Sequence, residues 1–288
     1  MPAPVPAGDA SVSGTPHARL VFSHANGFPA ATYARVLAPL RQRFDVTHVD
    51  AFGHAPQYPV SRGWPGLARQ LLDHIGDARD GQSLWLVGHS LGGYLSLLAA
   101  AQLGDRVAGV VLLDSPLIGG VTAQLIKLAR RTALDRHLMP LQQTLQRRTH
   151  WSDIEAVRAH FAAKPAFARW DAQVLSDYAS AATVPDAPGR RLLFDREIEH
   201  RIYATLPTRS VQLAAQRVSA PVGFIAGRRS REVRQIGLRA TRAIVGARLA
   251  WIDGSHLYPM ERPDDTAASI LRMIEAMRAQ PGAERAAI

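Results

Sequence analysis

The stretch LVGHSLGGYLSLLAAA at residues 86–101 decides how the rest of the chain is interpreted. It begins as an apolar run, continues through Gly88-His89-Ser90-Leu91-Gly92, and ends in small and apolar residues that favour a helix. This pattern predicts a strand that turns sharply into a helix, with Ser90 strained at the turn and projecting from the sheet edge. Gly88 and Gly92 remove side chains that would collide where the strand and the helix pass closely. Free N–H groups at the helix start favour negative charge beside Ser90, which makes it a candidate nucleophile.

Apolar runs alternate with helical patterns on both sides of this stretch. The predicted strands cover residues 19–23, 46–50, 84–88, 107–113, 222–226 and 248–252. The predicted helices cover residues 30–41, 64–75, 91–103, 232–245 and 263–278. Short continuous apolar runs are typical of parallel strands covered on both faces, and strand-helix alternation builds right-handed crossovers. The sequence therefore predicts an α/β fold with a doubly wound, mostly parallel sheet.

The alternation is interrupted once, at residues 115–220, where only helix-like patches are visible. Val121, Leu125 and Leu128 have helical spacing, and residues 152–155 have the pattern of a capping box. We expect this insertion to be a helical cap over the carboxyl ends of the strands, where open α/β sheets bind ligands. The predicted organisation is a disordered arm at 1–17, a core at 18–114 and 221–279, the helical cap at 115–220, and a flexible tail at 280–288.

Composition narrows the classes of function. The 288 residues are 47% hydrophobic and contain no Cys, which excludes disulfides, thiolate metal sites and a cysteine nucleophile. No apolar run approaches the ~20 residues that span a membrane, and the N-terminus does not resemble an export signal, so we expect a cytoplasmic protein. The net charge of +10 comes almost entirely from Arg spread along the chain, since Lys occurs only at 127 and 164. We predict a small-molecule substrate and no nucleic-acid partner; a homodimer is compatible with the sequence.

Three further stretches accompany the turn at Ser90. FSHANGF at 22–28 follows the first strand, DAFGHAPQY at 50–58 follows the second, and DGSHLYPMERPDD at 253–265 follows the last. With these motifs the sequence resembles the α/β-hydrolase fold family over about residues 18–279, although Ala25 and Ala55 stand where the family usually has Gly.

The resemblance implies roles for individual residues. His256 would be the general base for Ser90, and the backbone N–H groups of Asn26 and Leu91 would form the oxyanion hole. His24 and His54 would hold loops together by hydrogen bonds. No metal or cofactor is expected. The residues predicted to contact the substrate are Phe28, His89, Trp170 and Leu257.

The acid partner of His256 is the open question, because GRRSREV at 227–233 has Ser230 where the family usually keeps an aspartate. Asp114 follows the strand 107–113, and Glu232 lies two residues beyond Ser230. We favour Asp114 and keep Glu232 as the alternative, because the carboxyl ends of both strands open onto the same edge. A third alternative is another acid, such as Asp253, or none.

Three functions remain compatible with these residues. The leading hypothesis is a serine hydrolase that cleaves a carboxylic ester, or a related acyl bond, of a small apolar substrate through an acyl-enzyme. A hydrolase of carbon-carbon bonds in β-diketones would use the same residues. A ligand-binding protein without turnover is the third hypothesis, and the missing acid at position 230 is its support. The aromatic residues of the cap would form mainly the cap's own core and in part the substrate pocket.

Overall fold

The computed structural model describes residues 18–77, 82–119 and 141–279, and it contains a six-stranded sheet in which all neighbouring strands are parallel. The strand order is β2-β1-β3-β4-β8-β9. These strands are β1 Arg19–Ser23, β2 Asp45–His48, β3 Leu84–His89, β4 Val107–Leu113, β8 Val222–Gly227 and β9 Leu249–Ile252. All six predicted strands are present, with ends that shift by at most two residues.

Helices cover both faces of this sheet, so the predicted doubly wound α/β fold is confirmed. The α-helices of the described residues are α1 Ala34–Arg41, α2 Pro65–Ile75, α3 Leu91–Leu103, α4 Leu141–Leu145, α5 Ile154–Ala162, α6 Ala172–Ala181, α7 Arg196–Ala204, α8 Thr208–Arg217, α9 Arg231–Ile236, α10 Arg239–Val245, α11 Tyr258–Glu261 and α12 Pro263–Ala279. Short 3-10 helices cover Ala30–Tyr33, Gly104–Arg106 and Pro165–Phe167.

Successive residues of β1 show why both faces are apolar. Leu20 and Phe22 pack into one buried cluster with side chains of α1 and α12. Val21 packs into a second cluster with side chains of α2 and α3. Because side chains alternate between the two faces of a strand, a strand buried on both faces needs a continuous apolar run.

One predicted helix is divided in the structure. Residues 232–245 form α9 and α10 rather than one helix, because the chain turns at Gly237, whose φ is 75°. Glycine adopts this left-handed conformation at little cost, so the sequence contained the signal for the break.

The described part of the insertion corrects the prediction that it is helical throughout. Besides α4 to α8 it contains an antiparallel sheet in the order β5-β7-β6, formed by His150–Trp151, Gly189–Leu192 and Thr183–Asp186. Its central strand begins at Gly189, where a Cβ would lie 2.1 Å from the Trp151 carbonyl oxygen. Strands this short show too little alternation of apolar and polar residues to be recognised from sequence. The contact between Trp151 and Gly189 also joins residues 38 positions apart. The predicted arm, the tail and the helical pattern at Val121, Leu125 and Leu128 lie outside the described residues.

Strand register brings the carboxyl ends of the central strands to one edge. Ser23 pairs with Gly88, His89 pairs with Leu113, and Leu113 pairs with Ile225. The residues that follow β1, β3, β4 and β8 are therefore neighbours in space although they are distant in sequence.

Among the described helices, none is long and apolar enough to cross a membrane.

Candidate active site

Ser90 lies at a strained turn between β3 and α3. Its φ is 53° and its ψ is −113°, a conformation that non-glycine residues rarely adopt. A Cβ on Gly88 would lie 2.2 Å from the carbonyl oxygen of Gly92, and one on Gly92 would lie 2.0 Å from that of Ser23. The strand and the helix can approach this closely only because both residues are glycine. Ser90 is half-buried and is the N-cap residue of α3.

His256 lies in the loop after β9, and its Nδ1 atom is 2.7 Å from Oδ2 of Asp114. The nearest carboxylate oxygen of Glu232 is 3.7 Å from the same nitrogen, beyond a working hydrogen bond. Asp114 directly follows β4, is buried, and has a φ of 46°. Of the two predicted acids, the structure thus places Asp114 at hydrogen-bonding distance from His256.

The Asp114 carboxylate is held by two further hydrogen bonds. The Gly227 N–H donates to Oδ1 at 2.7 Å, and the Ser230 hydroxyl donates to Oδ2 at 2.5 Å. Ser230 also accepts a hydrogen bond from the Val233 N–H at 3.1 Å, so it caps the start of α9. These donors replace the hydrogen bonds to water that a buried carboxylate loses.

The surroundings of His256 raise its pKa. Burial alone would lower the pKa, but the hydrogen bond with Asp114 and the negative charges of Glu232 and Asp114 outweigh burial. Since Nδ1 is hydrogen-bonded to a carboxylate, the neutral ring carries its proton there and leaves the lone pair of Nε2 free. This is the tautomer that a general base for a serine requires.

His89 connects the elbow to the histidine loop. Its Nε2 donates to the His256 carbonyl oxygen at 2.9 Å, and its Nδ1 accepts from the Tyr33 hydroxyl at 2.7 Å. The Tyr33 hydroxyl in turn accepts from the Ala25 N–H at 3.2 Å. Burial and the nearby His256 lower the pKa of His89, which is consistent with a neutral ring. Against the prediction that His89 contacts the substrate, its side chain is completely buried and both ring nitrogens are hydrogen-bonded within the protein.

The loop after β1 contains Asn26, one of the two predicted oxyanion donors. His24 fixes this loop: its Nδ1 donates to the Ala25 carbonyl oxygen at 2.8 Å and its Nε2 accepts from the Phe52 N–H at 3.1 Å. Burial lowers the pKa of His24 to about 4, so the ring is neutral. The predicted loop-holding role of His24 agrees with these contacts.

Two backbone N–H groups are available where the oxyanion is predicted. Within the described parts of the chain, the Asn26 N–H has no hydrogen-bond acceptor. Leu91 is the first residue of α3, where N–H groups have no acceptor within the helix. The Asn26 side chain points elsewhere, since its Nδ2 donates to the Glu199 carbonyl oxygen of the insertion at 3.0 Å.

A second histidine joins the core to the insertion. His54 Nδ1 donates to the Phe52 carbonyl oxygen at 2.9 Å, and its Nε2 accepts from the Asp195 N–H at 3.0 Å. Burial lowers the pKa of His54. His54 thus ties its loop to the start of α7, as predicted for a structural histidine.

A cavity of about 220 Å³ lies between the Asn26 loop and the insertion. Phe28, predicted to contact the substrate, lines it and lies 5.8 Å from Trp170 between ring centroids. Trp170 is 8% exposed and packs in the aromatic cluster of the insertion, while Leu257 is half-buried directly after His256. Sequence reasoning missed the charged residues of the lining, Arg147, Lys164 and Glu199. Arg147 and Lys164 were visible only as scattered positive charge, and nothing in the sequence links them to residues 26–28.

Asp114, Glu232 and His256 are also the one group of three or more candidate metal ligands that the described residues contain. Their ligand atoms lie within 4.8 Å of one another. Two of these residues, His256 and Asp114, are already hydrogen-bonded to each other.

The parallel sheet and the strained turn at Ser90 are features of the α/β-hydrolase fold. The sequence profile of the Alpha/beta hydrolase family matches residues 20–269, and the chain belongs to this family. Monoglyceride lipase of Rattus norvegicus is 34% identical over 114 residues, which are 37% of this chain and 37% of that protein. The probable esterase PIR7A of Oryza sativa subsp. indica is 38% identical over 97 residues, 32% of this chain and 37% of that protein.

The chain therefore covers little more than a third of the length of these curated relatives, 37% in both cases. Among solved structures, E-2-(acetamidomethylene)succinate hydrolase superposes with a TM-score of 0.68 and 23% identity. The superposition covers 91% of this chain and 92% of that one. At this identity the likeness shows a common fold and carries no statement about substrate.

Proposed function

We propose that the protein is a serine hydrolase that cleaves a carboxylic ester of a small substrate, with Ser90, His256 and Asp114 as its catalytic residues. The observation that carries the proposal is the 2.7 Å contact between His256 and Asp114 at the sheet edge to which Ser90 also belongs. The ligand-binding hypothesis was based on the missing acid at position 230. Asp114 supplies a carboxylate to His256, so that reason no longer applies.

The proposed reaction has two halves. His256 Nε2 removes the proton of the Ser90 hydroxyl as Oγ attacks the acyl carbonyl, and Asp114 stabilises the imidazolium that forms. The N–H groups of Asn26 and Leu91 stabilise the oxyanion. The imidazolium then protonates the departing alcohol, leaving an acyl group on Ser90. A water molecule deprotonated by His256 hydrolyses this ester and restores the enzyme.

We further propose that residues 115–220 act as a cap that encloses the substrate. Hydrogen bonds attach its described part to the core close to the site. Asn26 donates to the Glu199 carbonyl oxygen at 3.0 Å, and the Asp171 N–H donates to the Met260 carbonyl oxygen at 3.1 Å. The cavity beside Phe28 is lined by residues 26–28 and by side chains of the insertion, and an acyl or alcohol group of the substrate would fit there.

The test is Ser90→Ala, with Ser219→Ala as the matched control on an exposed serine outside the site. Ser90→Ala is expected to abolish hydrolysis of p-nitrophenyl butyrate and labelling by a fluorophosphonate probe, with nearly unchanged thermal stability. Ser219→Ala should retain both. Equal hydrolysis or equal labelling in Ser90→Ala would reject the proposed nucleophile.

A further inference from the structure

The cavity beside the Asn26 loop has an apolar wall and a charged end. Phe28, Phe161 and Phe167 supply the apolar wall. Phe161 and Phe167 are 5.1 Å apart between ring centroids, and Tyr178 lies 4.9 Å from Phe161. A cavity of roughly 150 Å³ is enough for a benzene ring, so about 220 Å³ accommodates a ring together with a short chain.

Two of the three charged residues that line the cavity neutralise each other. Arg147 Nη1 is 2.5 Å from Oε2 of Glu199, and its Nη2 donates to the Tyr178 hydroxyl at 2.9 Å. Burial alone would lower the pKa of Arg147, but Tyr178 and Glu199 outweigh burial and raise it. A Cβ on Gly27 would lie 3.0 Å from Glu199 Oε1 and 3.1 Å from Arg147 Nη1. This ion pair is therefore packed against the Asn26 loop. Because its two charges compensate each other, it offers no net charge to a ligand.

Lys164 is the remaining charge in the lining. Its Nζ lies 5.0 Å from the centroid of the Phe161 ring. Across the described residues, no carboxylate lies within salt-bridge distance of this ammonium group. Burial and the nearby charge of Arg147 lower the pKa of Lys164. A cation that is partly removed from water without a counter-ion is stabilised by an anion that enters beside it.

We propose that this cavity binds a carboxylate of the substrate, with Lys164 as its counter-ion and the aromatic wall around the adjoining apolar group. The inference rests on the proposed function, because it assigns a substrate class to that activity, the ester of a molecule that also carries a free carboxylate. It requires an apolar spacer between the ester and the carboxylate, since Lys164 belongs to the insertion and not to the sheet edge.

Binding is measured separately from turnover. The probes are 4-phenylbutyrate and its neutral isostere 4-phenylbutyramide, titrated calorimetrically into the Ser90→Ala protein at pH 7.5. The carboxylate is expected to bind at least about tenfold more tightly than the amide, the scale of a hydrogen bond to a charged group. Lys164→Met in the same background should abolish this preference, and Lys164→Arg should keep most of it because the charge remains.

Arg158→Met is the matched control, because Arg158 is an exposed cation on α5 that does not line the cavity. It should leave the preference unchanged. Equal affinity for the two probes, no binding of the carboxylate at millimolar concentration, or a preference that survives Lys164→Met would each overturn the proposal. Failure of the proposed function would be recognised separately, by unchanged p-nitrophenyl butyrate cleavage in Ser90→Ala. The binding result could still be interpreted in that case.

Discussion

Ser230 donates a hydrogen bond of 2.5 Å to the carboxylate of Asp114. The serine that occupies the expected position of the acid therefore supports an acid that comes from a different strand. The same oxygen, Oδ2, is hydrogen-bonded to Nδ1 of His256 at 2.7 Å, and Oδ1 accepts a hydrogen bond from the Gly227 N–H. One buried carboxylate thus joins the ends of β4 and β8 to the histidine loop.

Asp114→Asn should lower kcat about 10³- to 10⁴-fold, whereas Glu232→Gln should change it less than about tenfold. The reason is that only Asp114 is close enough to fix the His256 tautomer and stabilise its cation. Rates with p-nitrophenyl butyrate and the thermal stability of both variants check the prediction. A larger loss in Glu232→Gln than in Asp114→Asn would mean that the acid has been assigned to the wrong residue.

Glu232→Gln should shift the acid limb of the kcat/KM profile to lower pH. His256 acts as a base only when neutral, so the rate falls as the pH drops through its pKa. Glu232 contributes to the raised pKa of His256 by its negative charge, and removing that charge lowers the pKa. The profile between pH 4 and 9 measures the shift, and Glu197→Gln, at an exposed acid of α7, is the control. An acid limb that stays in place or moves upward would contradict the role of Glu232.

Ser230→Ala should reduce both stability and activity. The helix α9 loses its N-cap, which costs about 1 kcal/mol, and Asp114 loses one of its three donors. We expect a fall in kcat of roughly three- to tenfold. Chemical denaturation and ester hydrolysis measure the two effects, and Ser230→Thr, which keeps the hydroxyl, should recover most of each. Full activity in Ser230→Ala would show that the hydrogen bond to Asp114 is dispensable.

Tyr33→Phe should lower kcat about five- to fiftyfold with little change in KM. The Tyr33 hydroxyl connects the Ala25 N–H to His89, which donates to the His256 carbonyl oxygen, so its loss loosens the oxyanion loop and the histidine loop together. Tyr58→Phe removes an exposed hydroxyl that bonds to Asp73 and serves as control. A change confined to KM, or equal losses in both variants, would argue against this positioning role.

The stretch around Ser90 and the strand-helix alternation could be predicted from sequence because both are local patterns. Apolar runs indicate which segments are buried on two faces. The glycines at 88 and 92 indicate that α3 passes close to the neighbouring strands. The antiparallel sheet of the insertion was missed since its strands have two to four residues and β5 pairs with β7 across a long separation in sequence. The cytoplasmic location, the homodimer and the absence of nucleic-acid binding stay predictions.

The sequence by itself determined the fold family, the strained turn and the short set of residues from which a site could be built. Tertiary structure alone decided which carboxylate reaches His256, that His89 is buried between loops, and that Lys164 faces a cavity beside Phe28. The physical reason is distance: hydrogen bonds and charge pairing act over a few ångströms. Asp114 and His256 are 142 residues apart in sequence, so only the packed strands bring them within that range.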